Sequence, residues 1–400
     1  MEKSVTLEQA ISFTKLSVAL TCSWPPSPLA TKTQVLFFNT LWCTAFVSTV
    51  TLLLPLFNGI YEYRKDPLIL GKTVSLASAV AQVAIKMIMC RFQQKQFQIL
   101  YFDLENFCKR ANLKEKVVLQ RYVDRYKYFH GIYILWCFLT TLFVISGPLY
   151  SPQTFPTHAI YPFKVNHVLL KTIIYFHQSL VGFQASAGMA IDTQVAFLLR
   201  YAAARFELLG NEMRNAKTDC EFNACIEKHI ELLRLFLFYY VIHSVPLFGV
   251  MCVKRYTKKI RQSIKFLILT TIATTTVAVI FGSLNLIANQ SLLLKALYAI
   301  VVFSASVELF MYAWPADSLM RMSTKLATDI YNTDWLGKDV KLQKKVYYII
   351  LRSQRLEAIR IDGVVPILSL PYYAMYLYKS MSYFTALRII VESEITIETA

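Results

Sequence analysis

Seven apolar runs set the limits on what this chain can become. They lie at about 34–56, 68–90, 128–150, 168–190, 264–288, 292–314 and 364–391. Each reaches the roughly 20 residues that a helix needs to cross a hydrocarbon core. Inside lipid every backbone group must be satisfied within the protein, and helices do this segment by segment. The expected class is therefore all-α, a polytopic membrane protein with seven transmembrane helices. Composition agrees, since 56% of residues are hydrophobic and only 17% charged. The opening MEKSVTLEQAISFTKL lacks the basic start, apolar core and cleavage site of a signal peptide. The first span is expected to serve as its own targeting signal.

The net charge of +17 would suggest nucleic acid in a soluble protein. Its distribution argues otherwise. Nine Lys and Arg fall in 91–127, twelve in 200–265 and nine in 315–360, which is 30 of the 42. Segment 151–171 has only Lys164 and Lys171, and the tail carries Glu392, Glu394 and Glu398. Basic connections stay on the cytoplasmic side. The N-terminus is thus expected inside and the C-terminus outside, with no role for nucleic acid. The implied division is a cytoplasmic segment 1–33, spans one to four within 34–200 and a cytoplasmic helical segment 201–263. Spans five and six follow within 264–314, then cytoplasmic anchor helices 315–363, a last span 364–391 and an extracellular tail 392–400.

No catalytic constellation is visible. HExxH, GxSxG, GxxxxGK[ST] and GxGxxG are all absent, so neither an enzyme nor a cofactor is expected. None of the eight Cys lies in a segment placed outside, so no disulfide framework is expected. Cys220 and Cys225 lack zinc spacing, and no metal is expected. Asp124-Arg125-Tyr126 spells the DRY of G-protein-coupled receptors, but it precedes the third span in a bundle of inverted charge pattern.

Polar groups within spans are functional candidates. Here they are Lys86, His177, Gln178, Gln184, Asp192 and Glu308. Lys86 is expected to snorkel toward the cytoplasmic face. Asp192 and Glu308 are expected near the inner boundary, and His177 as a helix–helix contact. The fourth run continues without a breaker from Val168 toward Asn215, roughly 70 Å of helix, so it must project into the cytosol. Amphipathic stretches such as Phe206–Leu209 and Val346–Leu351 suit either a cytoplasmic assembly platform or packing within one chain. In the last run Lys379, Tyr383, Ala386 and Ile390 share one helical face. That face either lines an aqueous path or belongs to a tyrosine-rich packing helix. Asn289-Gln290-Ser291 is a glycosylation sequon in the link between spans five and six.

Several stretches carry a family resemblance. In the C-terminal third these are Ile330-Tyr331, Asp334-Trp335 and Ile350-Leu351-Arg352-Ser353-Gln354. Pro366-Ile367-Leu368-Ser369-Leu370, Tyr378-Lys379 and Ser382-Tyr383-Phe384-Thr385 follow. In the middle they are Arg205–Leu209, Cys225–His229 and Leu232-Leu233-Arg234. With these the chain resembles an insect odorant receptor, in the style of the ant, bee and wasp branch. The resemblance implies a ligand-gated, non-selective cation channel. It would be a hetero-tetramer built with an odorant co-receptor subunit, in the plasma membrane of olfactory sensory neuron dendrites, surrounded by membrane lipid. A small volatile odorant or pheromone would occupy a pocket in the outer half of the bundle. Pocket walls implied by position are Val80, Val83, Met87, Phe138, Thr141, Tyr175, Ser179 and Phe183. Tyr372, Tyr373 and Tyr376 would form the floor and couple to the gate. Tyr383, Ala386 and Ile390 would face the pore, where a dry aliphatic ring gates by dewetting.

One stretch departs from the family. Residues 235–254, LFLFYYVIHSVPLFGVMCVK, are an apolar insert where the cytoplasmic segment should run on. A crossing there would put the following cations outside and invert everything downstream, so none is expected. The hypothesis that it is an intron read through fails if most transcripts contain the stretch on sequencing. Other functions open to such a bundle are a metabotropic or gustatory-type chemoreceptor and a transporter. A transporter would require an inverted repeat and broken mid-membrane helices, which are not seen.

Overall fold

The computed structural model describes residues 5–149, 153–237, 250–287, 292–354, 358–361 and 363–398. Their architecture is all-α apart from one isolated antiparallel bridge, Ile361 to Val365. The helices are α1 (Leu7–Ser17), α2 (Lys32–Glu62), α3 (Pro67–Phe92), α4 (Gln94–Arg110), α5 (Leu113–Ile145) and α6 (Val168–Asn215). They continue with α7 (Asp219–Leu237), α8 (Val250–Ile287), α9 (Leu292–Tyr331), α10 (Val340–Ser353) and α11 (Leu370–Glu398).

The sequence itself marks several starts. Thr6 with Gln9, Thr31 with Gln34 and Asn112 with Glu115 form reciprocal capping boxes that begin α1, α2 and α5. Each satisfies two orphan backbone donors at once. Asp339 caps α10 by accepting from Lys341 N. At α11 the Ser369 hydroxyl accepts from Tyr372 N at 3.4 Å, and Asp317 of α9 accepts from Leu370 N at 3.4 Å. Pro371 then occupies the first turn, where its missing N–H costs nothing. The last helix thus begins at Leu370 rather than at Val364. Gly363, at φ +81, turns the chain between the bridged residues and leaves 364–369 outside the helix.

Among the described residues, five helical stretches are long and apolar enough to cross a membrane: Lys32–Lys65, Ile69–Phe92, Leu113–Ile145, Lys265–Ser283 and Tyr298–Tyr331. Helices α6 and α11 have the length, at 48 and 29 residues, but carry more polar side chains. For α6 the reason lies in packing. From Ser186 to Leu209 it is buried on nearly every side, against α9, α5 and α3. Its polar groups therefore face protein rather than lipid. Helix α11 touches α8 and α9 and leaves Tyr378, Met381, Tyr383 and Ile389 exposed.

The main core gathers around the lower half of α6, with α4, α5, α9 and α10. Two smaller clusters join α2 to α3 above it. Glycines permit close approaches, and two of them bear on this region. A Cβ on Gly188 of α6 would lie 2.5 Å from Val83 of α3, and one on Gly59 of α2 would lie 2.6 Å from His158 O. The second contact holds the 153–167 loop on α2, helped by Ile160 N donating to Pro55 O at 2.9 Å. Of the stretch 235–254, residues 238–249 lie outside the described residues, Val250–Lys254 open α8, and Leu235–Leu237 close α7. The sequon at Asn289 also lies outside them.

Candidate ligand cavity and its coupling to the last helix

A cavity of about 260 Å³ lies between α3, α5, α6, α8 and α9. Val80, Thr141, Val144, Met189, Ala278 and Val301 give it largely apolar walls. Its cover is the 153–167 loop. There Thr157 donates from both its backbone N and its hydroxyl to Gln178 Oε1, each at 3.1 Å. Gln178 Nε2 in turn donates to the Tyr161 hydroxyl at 3.2 Å. A few polar groups punctuate the walls. Thr141 and Ser186 share a 2.6 Å hydrogen bond, and Trp136 donates to Ser304 at 2.7 Å. Buried Ser75 Oγ and Tyr298 OH have no hydrogen-bond partner among the described residues, and both residues border the cavity. A mostly apolar pocket with a few fixed polar groups suits a small, weakly polar ligand.

The floor is charged. Glu308 borders the cavity, and Lys86 Nζ lies 2.8 Å from its Oε1. The same ammonium lies 2.7 and 2.9 Å from the two Asp192 oxygens. Gln82 also donates to Glu308, and the Tyr312 hydroxyl to Asp192. Lys86, Asp192 and Tyr312 are fully buried. This corrects the expectation that Lys86 snorkels: its ammonium points into the protein. Lys86 turns inward to meet two carboxylates from α6 and α9, and once these groups are buried each would be an uncompensated charge without the others. His177 is a helix contact, its Nε2 3.1 Å from Ser48 O.

The residues expected in the site separate into groups. Val80 and Thr141 line the cavity. Val83 and Met87 pack instead with Ala45 between α2 and α3, Val83 also against Gly188, below the cavity. Phe138 and Phe183 pair with each other, ring centroids 6.4 Å apart, and Tyr175 donates to Ile145 O at 2.9 Å. The Ser179 hydroxyl donates to Tyr175 O within its own helix. None of these four lines the cavity, and Tyr175 reaches it only through Ile145, a wall residue. Tyr372 and Tyr373 pack on the main core, Tyr373 with its ring 5.3 Å from that of Phe310. Tyr376 donates to Thr275 Oγ1 at 3.3 Å, and Thr275 is a cavity residue. Tyr383 and Ala386 lie on the exposed face of α11; Ile390 is on the same helix, its side chain outside the described residues. Sequence reasoning missed Tyr298, Ser304, Thr274 and Thr275. Only the abundance of hydroxyls in apolar runs could have signalled them.

The family model described as 7tm Odorant receptor matches residues 66–377. Odorant receptor 13a of Drosophila melanogaster is 23% identical over 273 residues, 64% of this chain and 62% of that protein. The match thus spans somewhat under two thirds of that relative's length. Odorant receptor 67a of Drosophila melanogaster is 22% identical over 305 residues, 70% of this chain and 69% of the relative. Odorant receptor 10 of Aedes albopictus is 32% identical over 106 residues, 26% of this chain and 27% of that one. Among solved structures, the insect olfactory receptor OR5 from Machilis hrabei aligns with TM-score 0.79 at 14% identity, covering 95% of this chain and 98% of that one. Its complex with eugenol aligns with TM-score 0.77 at 13% identity, covering 96% and 98%. With the family model matching 66–377 and the fold aligning with an insect olfactory receptor, the chain belongs to the insect 7tm odorant receptor family.

Proposed function

We propose that this chain is the odorant-binding subunit of a ligand-gated, non-selective cation channel. The observation that carries the reading is the Tyr376–Thr275 hydrogen bond, which ties the cavity wall to α11. A ligand touching α8 can then bias α11 directly. It shifts the closed–open balance only as far as it prefers one arrangement. The eugenol complex of the Machilis hrabei receptor supports a small volatile as ligand. Unpartnered Ser75 Oγ and Tyr298 OH offer such a ligand its hydrogen bonds.

In this reading Tyr383, Ala386 and Ile390 border the ion path, which one chain cannot enclose. The exposed face of α11 is completed by neighbouring subunits in a hetero-tetramer with an odorant co-receptor. The N-terminus lies in the cytosol and the C-terminus outside, in the plasma membrane of olfactory neuron dendrites. The distribution of Lys and Arg supports that orientation. The experiment is patch-clamp recording of cells expressing the chain with the co-receptor, challenged with an odorant panel. Odorant-evoked cation current that appears only in the co-expressing cells is expected. Odorant responses that need a G protein and carry no direct current would defeat the proposal.

A further inference from the structure

A second cavity, of about 390 Å³, lies at the other end of the bundle, among α1, α4, α5 and α6. Arg200 borders it and is 4% exposed. Its Nη1 contacts His130 Nε2, and its Cζ sits 3.7 Å from the Tyr126 ring centroid and 5.3 Å from that of Trp314. Its Nε and Nη2 have no hydrogen-bond partner among the described residues. Aromatic faces support the guanidinium plane, but they do not replace a counter-ion on its edge. A buried cation left without an anion is strongly unfavourable. The remaining walls are chiefly apolar, including Phe13, Leu104, Leu119, Val123 and Phe197. A lone inorganic ion would fill little of this volume and leave those walls facing water.

From these observations we infer that the Arg200 cavity binds the headgroup of an acidic phospholipid. The phosphate bridges Nε and Nη2 in the bidentate geometry that guanidinium favours. Hydrocarbon from the same lipid lies along Phe13 and the apolar walls. The entrance fits a membrane source. Helix α1 exposes Leu16 and the cavity residue Phe13, and the short turn after it exposes Leu20. Arg200 also lies 32 residues beyond the start of α6, at the end of the bundle away from the 153–167 loop.

The test uses the full chain in detergent micelles and reads the thermal unfolding midpoint. Micelles are titrated separately with dioleoyl phosphatidic acid, dioleoyl phosphatidylcholine and inorganic phosphate. Phosphatidic acid alone is expected to raise the midpoint in a saturable way. Arg200→Gln should weaken half-saturation by about tenfold or more, the loss of charge-assisted hydrogen bonds. Gly131→Leu keeps the guanidinium but fills the cavity, since a Cβ there meets nothing within 4 Å. It should weaken binding to a similar degree, and it carries the test if Arg200→Gln does not fold. An equal shift with phosphatidylcholine, or a shift with inorganic phosphate alone, overturns the inference. So does unchanged phosphatidic acid binding in Gly131→Leu together with any folded Arg200 variant.

Discussion

Lys86 is one cation serving two carboxylates, and this makes substitutions around it unequal. Asp192→Asn leaves a one-to-one pair with Glu308, still hydrogen-bonded by Gln82. Lys86→Met strands both carboxylates without a cation. Breaking a buried pair costs about 3–5 kcal/mol, so Lys86→Met should abolish surface expression while Asp192→Asn retains most of it. Flow cytometry of an epitope-tagged chain measures both, and equal expression would rule the charge argument out. At Tyr376, replacement by Phe removes one hydroxyl and little volume. Losing one neutral hydrogen bond, about 1 kcal/mol, should raise the half-maximal odorant concentration about fivefold without changing surface level. A dose–response curve indistinguishable from the parent would remove Tyr376 from the coupling path. The sequence shows polar residues in apolar runs, but not which of them meet. Lys86, Asp192 and Glu308 come together from α3, α6 and α9, and no periodicity links positions so far apart. Val83 and Met87 show the same gap from the other side. Both share a helix with Val80, yet they lie one and two turns further along, beyond the cavity floor.

Helices α7 and α10 pack together, and His229 is buried between them. Its Nε2 lies 3.3 Å from Ser353 Oγ, and its Nδ1 has no hydrogen-bond partner among the described residues. Burial, reinforced by Arg352, holds its imidazole down at about 4. The unfolded chain takes up that proton near pH 6.5. Between these values the unfolded state binds more protons, so stability falls as pH drops from 6.5 toward 4. The full loss is of the order of 3 kcal/mol. Thermal melts of the purified chain across this range should show the slope, and His229→Gln should flatten it. Element lengths were far more legible than such contacts. The unbroken run after Val168 foretold the full reach of α6, because no proline interrupts it. The start of α11 was less readable, since Pro366 and Gly363 sit in a stretch as apolar as the helix that follows.

For the whole molecule, the exposed face of α11 is the surface that the proposed assembly would cover. Ile390→Ala, in cells co-expressing the co-receptor, should change basal leak or ion selectivity, whereas Tyr373→Ala should mainly move odorant sensitivity. Reversal potentials and dose–response curves separate the two, and unaltered currents in both would count against the assignment of α11 to the ion path. The seven-run pattern made the bundle readable, because lipid tolerates so few alternatives. The quaternary arrangement is less readable, because an exposed tyrosine face looks alike whether it meets water or a neighbour. The 48-residue α6 has its own consequence. It is a single girder running past the 260 Å³ cavity, the Lys86 cluster and Arg200, with no proline to flex it. Any opening motion must therefore be taken up by the parts that slide along it. Two are suited to yield: α9 where Pro315 interrupts its hydrogen bonding, and the turn at Gly363 that leads into α11.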